Sequence, residues 1–247
     1  MSAILKRELS AYFGSATAYV VMAIFFFFSG LFFNYYCISA NSSSLSYVFG
    51  NMFYIVLFLI PILTMKTFAE EKKQKTDQAP LTAPTSLTEI VLGKYLGAFL
   101  LYFICCCIFL VYAVVIAFFV TPEWSVILCT FLGMLLLGSA LIAINVFISV
   151  LTESMVIAAV IGMGVGLVIS MMNYLISLIS DGTIITITGI TITGAMIKSL
   201  IDKINFLSYY ENFTYGILSI VDVVFFLSVT ALFLFFTVRA LDRRRWS

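Results

Sequence analysis

No charged residue occurs between Leu9 and Met65, and further uncharged stretches run from Tyr95 to Pro122, Trp124 to Thr152, Ser154 to Ser180 and Val223 to Val238. A helix crosses a bilayer with roughly 20 apolar residues, and most of these stretches exceed that length. With 63% hydrophobic and only 10% charged residues, and a mean hydropathy of +1.15, the chain has too little polar surface to cover a water-exposed globule. The sequence therefore predicts an all-α polytopic membrane protein.

The first uncharged stretch is too long for one crossing. "NSSSLS" (Asn41 to Ser46) divides it, because polar turn formers cannot stay unpaired in hydrocarbon. Six transmembrane helices follow: about Ala16 to Tyr36, Tyr47 to Met65, Gly93 to Val120, Trp124 to Leu151, Met155 to Ile179 and Ile220 to Arg239. The run after Lys6 and Arg7 is too long for a signal peptide and lacks a convincing cleavage site, so it reads as a retained helix.

With both termini in the cytoplasm, 11 of the 13 basic residues fall inside and only Lys198 and Lys203 outside, whereas the 12 acids split 7 to 5. The positive-inside rule acts on Lys and Arg alone, so this asymmetry orients the chain. The orientation places the loop from Glu70 to Leu96 in the cytoplasm. That loop holds seven charges between Glu70 and Glu89, together with Pro80 and Pro84. "TPEW" (Thr121 to Trp124) reads as a tight external hairpin, with Thr121 as N-cap and Pro122 in the first helical position. The terminal "RRRW" reads as an anchor.

Some chemistry is excluded. The chain has no histidine, which removes His-based triads, metal sites and proton relays. Cys105, Cys106 and Cys107 are consecutive, so on a helix they diverge by about 100° and cannot chelate one ion. No Gly-rich phosphate loop is present. Carriers with their own energy coupling place ionisable groups at mid-membrane, and these helix interiors hold essentially none. No cofactor is expected on this chain, nor any nucleic-acid partner.

Three features face the cytoplasm. In "MSAILKRELSAYFGS", Ile4, Leu5, Leu9, Tyr12 and Phe13 are spaced for one helix face, which predicts an N-terminal interfacial helix over residues 1–15. The loop over 66–94 passes from a charged exit helix through its prolines to "TSLTEIVLGKYL", where Thr85 or Ser86 can cap a helix carrying Glu89 in its first turn. The "TES" turn joins the fourth and fifth helices. A solvated loop and a docking elbow are both compatible with this pattern. Composition alone leaves open a non-transporting membrane scaffold or anchor, or a passive channel or carrier.

"KRELSAYFGSATAYVVMAIFFFFSGLFF", "FAEEKKQKTDQAPLTAPTSLTEIVLGKYL" and "FLSYYENFTYGILSIVDVVFFLSVTALFLFFTVRALDRRRW" together resemble type-2 ABC transporter permeases. The likeness is greatest to the branch of gliding-motility-associated and nitrous-oxide-reductase-maturation permeases. It departs at Lys75, where the family has Gly, at Ala79 and Pro80, and at "ENF", which lacks the family's His.

The resemblance implies one transmembrane permease domain over 1–247, exporter-like and non-catalytic, in a prokaryotic inner membrane. It implies a cytoplasmic coupling helix between the second and third helices, seated on a separate ATPase dimer that binds ATP and Mg. By position that role falls on Glu70, Glu71, Thr76, Asp77, Pro84 and Glu89, with Lys72 and Lys73 in the same charged exit. Lys6, Arg7 and Glu8 of the interfacial helix would also touch the ATPase. A second permease subunit, identical or homologous and with or without an external domain, would complete the assembly, with membrane lipid around it.

Outside, "DGTIITITGITITG" alternates with period two and predicts a hairpin or extended loop. Ile197, Leu200, Ile201, Ile204 and Leu207 then form a helical stripe, with Lys198 and Asp202 on the wet side. The segment 180–219 is thus expected to hold an external re-entrant or surface helix. Gly162 and Gly166 allow close helix approach, either within the chain or at a dimer seam. The family's use of its first and fifth helices there favours the seam. Asn34, Asn145 and Asn173 are polar groups within helices, and are candidates for interhelical bonds or for the transport pathway.

Overall fold

A computed structural model describes residues 2–40, 42–73, 86–178, 184–187, 190–193, 198–199 and 201–245. Ten helices carry the fold among them: α1 (Ser2–Phe13), α2 (Ala16–Phe33), α3 (Ser46–Thr64), α4 (Ala69–Lys73), α5 (Leu87–Ala117), α6 (Trp124–Leu151), α7 (Met155–Ser170), α8 (Met172–Leu178), α9 (Phe206–Thr214) and α10 (Ile220–Arg245). A π-helical turn, Asn34–Ser39, extends α2. The strands β1 (Ile184–Ile187) and β2 (Ile190–Thr193) pair antiparallel with Ile184 opposite Thr193, which is the hairpin expected from the Thr/Ile alternation.

Five helical stretches are long and apolar enough to cross a membrane, and the bent pair α7–α8 makes a sixth. Each presents an inner stripe. On α2 it is Ala18, Val21, Phe25, Ser29 and Phe33, at intervals of three and four residues. Phe25 meets Phe109 of α5 edge-on at 5.8 Å between centroids and Tyr102 at 6.4 Å. The α6 helix is the central post. Its glycines admit large neighbours, since a Cβ at Gly138 would lie 2.0 Å from the Tyr102 ring and one at Gly133 2.5 Å from Phe213 Cβ. Tyr102 then donates its hydroxyl to the Met134 carbonyl at 2.9 Å.

Two expected elements differ in detail. Glu123, not Thr121, stands at the N-cap of α6, and Pro122 precedes the helix instead of opening it. The fifth span is not one straight helix, because it bends 49° between α7 and α8. At the bend the Ser170 hydroxyl donates back to the Leu167 carbonyl at 2.8 Å, a local bond that competes with the helical ladder. Asn173, the second residue of α8, is also held from outside by Asn205.

Of the stripe from Ile197 to Leu207, Ile197 and Leu200 lie outside the described residues, and the part from Ile201 to Leu207 is not one helix. The chain turns at Lys203 and Ile204, and Asn205 caps α9 by accepting from Leu207 N at 3.1 Å. The α9 helix dips into the bundle with Phe206, Leu207, Tyr210 and Phe213 buried. Tyr210 donates to the Phe49 carbonyl of α3 at 3.0 Å, and its ring lies 5.3 Å from Phe53. Gly216, at φ +77°, turns the chain out of α9 towards α10.

A buried ion cluster at the basic end

The α1 helix lies along the first turns of α5, and two glycines make room for it. A Cβ on Gly93 would sit 2.6 Å from Ile4 Cγ2, and one on Gly97 would sit 3.0 Å from Glu8 Cβ and 3.6 Å from Tyr12. Ile4, Glu8 and Tyr12 recur every four residues, as do Gly93 and Gly97, so one face of α1 fits one groove of α5. Ser86 caps α5 by accepting from Glu89 N at 3.3 Å, as one of the two expected caps.

Between the glycines stands Lys94, only 2% exposed. Its ammonium donates to the Thr67 carbonyl at 2.7 Å and pairs with Glu71 at 2.9 Å and Glu8 at 3.3 Å. The same nitrogen lies 5.0 Å from the centre of the Phe68 ring. Arg7 closes the network from the rim, 2.9 Å from Glu8 and 3.3 Å from Glu71. Two cations thus face two carboxylates. Burying such charges is tolerable only when each is paired and its hydrogen bonds are made, and here the pairing joins α1, α4 and α5.

The link between α3 and α4 is fixed from the other side. The Ser149 hydroxyl of α6 accepts from both Phe68 N and Ala69 N at 3.1 Å, two donors at the break between the helices. Tyr12 bonds Thr67 Oγ1 at 3.3 Å. Burial pushes the Tyr12 phenol up to about 12, with the Thr67 bond opposing and the Glu8 charge adding to the rise. Arg7 is raised above its ordinary value chiefly by its hydrogen bond to Glu8. Lys72 reaches Glu153 of the α6–α7 turn at 3.5 Å.

Of the residues singled out by sequence, Arg7, Glu8 and Glu71 converge on this cluster and Lys72 joins the neighbouring pair. Glu70 sits half-buried on α4, Glu89 half-buried in the first turn of α5, and Lys6 and Lys73 are exposed. Thr76, Asp77 and Pro84 lie outside the described residues. Lys94, Thr67 and Ser149 were not among the candidates. Lys94 has one signal, the "GKYLG" run, a lysine flanked by glycines just inside an apolar helix, whereas nothing in the sequence marks Thr67 or Ser149.

Gly162 and Gly166 face the interior of this chain. A Cβ at Gly162 would lie 2.1 Å from Asn145 Oδ1 and 2.9 Å from Pro61, and one at Gly166 2.7 Å from the Leu57 carbonyl oxygen. Both glycines thus serve the intramolecular crossing of α7 on α3 and α6. Asn145 donates to the Leu141 carbonyl at 2.9 Å, while its buried Oδ1 has no partner among the described residues. Asn173 bonds Asn205, and Asn34 is exposed where α2 passes into the π-turn.

Comparison with known families supplies the remaining constraint. A family model described as ABC-2 family transporter protein matches residues 38–238, from the π-turn to the last turns of α10. The match includes Thr67, Glu71, Lys94 and Ser149 and leaves α1 outside. Comparison with curated proteins finds no match. With the family match covering most of the chain and membrane-spanning helices filling it, the protein belongs to the ABC-2 transporter family and is a membrane permease component of an ABC transporter.

Proposed function

We propose that this permease couples ATP hydrolysis by a separate cytoplasmic ATPase dimer, which holds the ATP and Mg, either to movement of a substrate across a prokaryotic inner membrane or, across that membrane, to an external partner. Both termini and the segment 66–94 lie on the cytoplasmic side in this reading, in accord with the 11 to 2 distribution of basic residues. The exposed Lys6 and Lys73, with the segment beyond α4, meet the ATPase. A second permease subunit, identical or homologous and with or without an external domain, completes the pathway, as in the gliding-motility and nitrous-oxide-reductase-maturation permeases that the chain resembles.

The observation that carries this reading is the Lys94 cluster. A push on α4 is not absorbed by a loose loop, because Glu71 is paired with Lys94 on α5 and with Arg7 on α1. Ser149 and Lys72 pass the same displacement to α6 and to its turn into α7. The three spans then rock together with the interfacial helix. Purification in mild detergent tests the proposal: an ABC ATPase co-purifies with the chain, and the absence of any bound ATPase sinks it.

A further inference from the structure

At the basic end, residues of α5 and α10 line an open groove of about 330 Å³. Val91 and Leu92 form one wall, and Leu234 and Val238 the other. Among the described residues its polar lining groups are Thr88 at the start of α5 and Arg239 and Asp242 in the last turns of α10, which together form a polar rim. Arg239 lies over the Phe235 ring at 5.3 Å and leaves 67% of its side chain exposed. Asp242 stands 3.9 Å from it, at the limit of an ion pair, and is 44% exposed. Each therefore retains hydrogen-bonding capacity for a third partner.

We propose that this groove is a specific site for a phospholipid with a phosphoethanolamine headgroup, taken from the leaflet at the basic end. The acyl chain lies along the aliphatic walls. The phosphate meets the Arg239 guanidinium, whose planar fork of donors suits phosphate oxygens. The primary ammonium donates to Asp242. Charge complementarity selects this occupant. A glycerol headgroup offers Asp242 no cation, a trimethylammonium offers it no N–H, and a transmembrane helix has no paired phosphate and ammonium to set against the rim. Guanidinium and carboxylate stay in place, and the lipid bridges them.

The test uses the full-length protein, delipidated and then equilibrated with vesicles of equal parts phosphatidylethanolamine, phosphatidylglycerol and phosphatidylcholine, with retained lipid counted by native mass spectrometry. The wild type retains phosphatidylethanolamine about threefold over either competitor, the scale of one exposed charge contact. Asp242→Asn shifts the preference to phosphatidylglycerol. Arg239→Gln lowers retention of both, and Leu234→Trp lowers all three while the melting curve shows a folded protein. Equal retention of the three headgroups by the wild type overturns the proposal, as does a preference unchanged in Asp242→Asn. So does a photo-cross-linker at position 234 that captures a second protein chain instead of lipid.

Discussion

Lys94 Nζ lies 2.9 Å from Glu71 Oε1 although the two residues sit on different helices and Lys94 is almost fully buried. The pair turns a charged surface segment into an internal strut. Glu71 belongs to the charged exit expected to touch an ATPase, yet its carboxylate points at its own chain. In the coupling proposed above, its part is to hold α4 on α5 and α1.

Removing the cation should expose how much that strut matters. Lys94→Met removes the buried ammonium that Glu8 and Glu71 share, and unfolding in detergent is expected to lose about 3–5 kcal/mol. Combining it with Glu71→Gln should cost less than the sum of the single changes by about 1 kcal/mol or more. Additive costs would show that the two residues do not act as a pair.

The glycines of α7 give a second comparison. Gly166→Ala drives a methyl into the Leu57 carbonyl and Gly162→Ala drives one into Asn145 and Pro61, so each should destabilise by about 1–3 kcal/mol. Gly164 has open space at its Cβ position, and Gly164→Ala should be neutral or stabilising by about 1 kcal/mol through helix propensity. Melting temperatures of the three variants separate these outcomes.

Ser149→Ala removes one oxygen that serves two buried N–H groups. A cost of about 1–3 kcal/mol is expected, with faster amide hydrogen exchange at Phe68 and Ala69. Unchanged exchange at those two amides would mean that other acceptors take over.

Tyr12 gives the α1 contact a pH limit. Its phenol titrates near 12 in the folded chain against an ordinary value of 10, so the unfolded chain loses this proton first as pH rises. Stability from this group is intact below pH 10 and declines from there through about pH 12. Tyr12→Phe should remove that part of the alkaline loss of stability and delete one late step from the phenolate absorbance titration. An unaltered alkaline transition would contradict it.

Much of this architecture was legible in the primary structure, for identifiable reasons. Helices that must satisfy every backbone group in hydrocarbon announce themselves by long uncharged runs, so the starts of α2 at Ala16 and α6 at Trp124 could be read directly. The Ser86 cap and the Thr/Ile hairpin were legible because both are local. Breaks driven by tertiary bonds were not: periodicity continues from Ile201 to Leu207, but Asn205 binds Asn173 and starts a new helix. The buried Lys94 was equally hidden. Counted along the chain it is one more inside positive charge, and only folding brings it to Glu8, 86 residues away.

The central claim is that the Lys94 cluster transmits ATPase movement to the spans. The most direct measurement is the hydrolysis rate of the co-purifying ATPase, bound to the permease in lipid nanodiscs, for wild type against Glu71→Gln. That variant keeps the side-chain shape and an oxygen acceptor. The account predicts that the ATPase binds both proteins equally, that the wild-type permease alters its hydrolysis rate relative to the free ATPase, and that most of this change is lost with Glu71→Gln. A folded Glu71→Gln permease that changes the rate as fully as the wild type would contradict it.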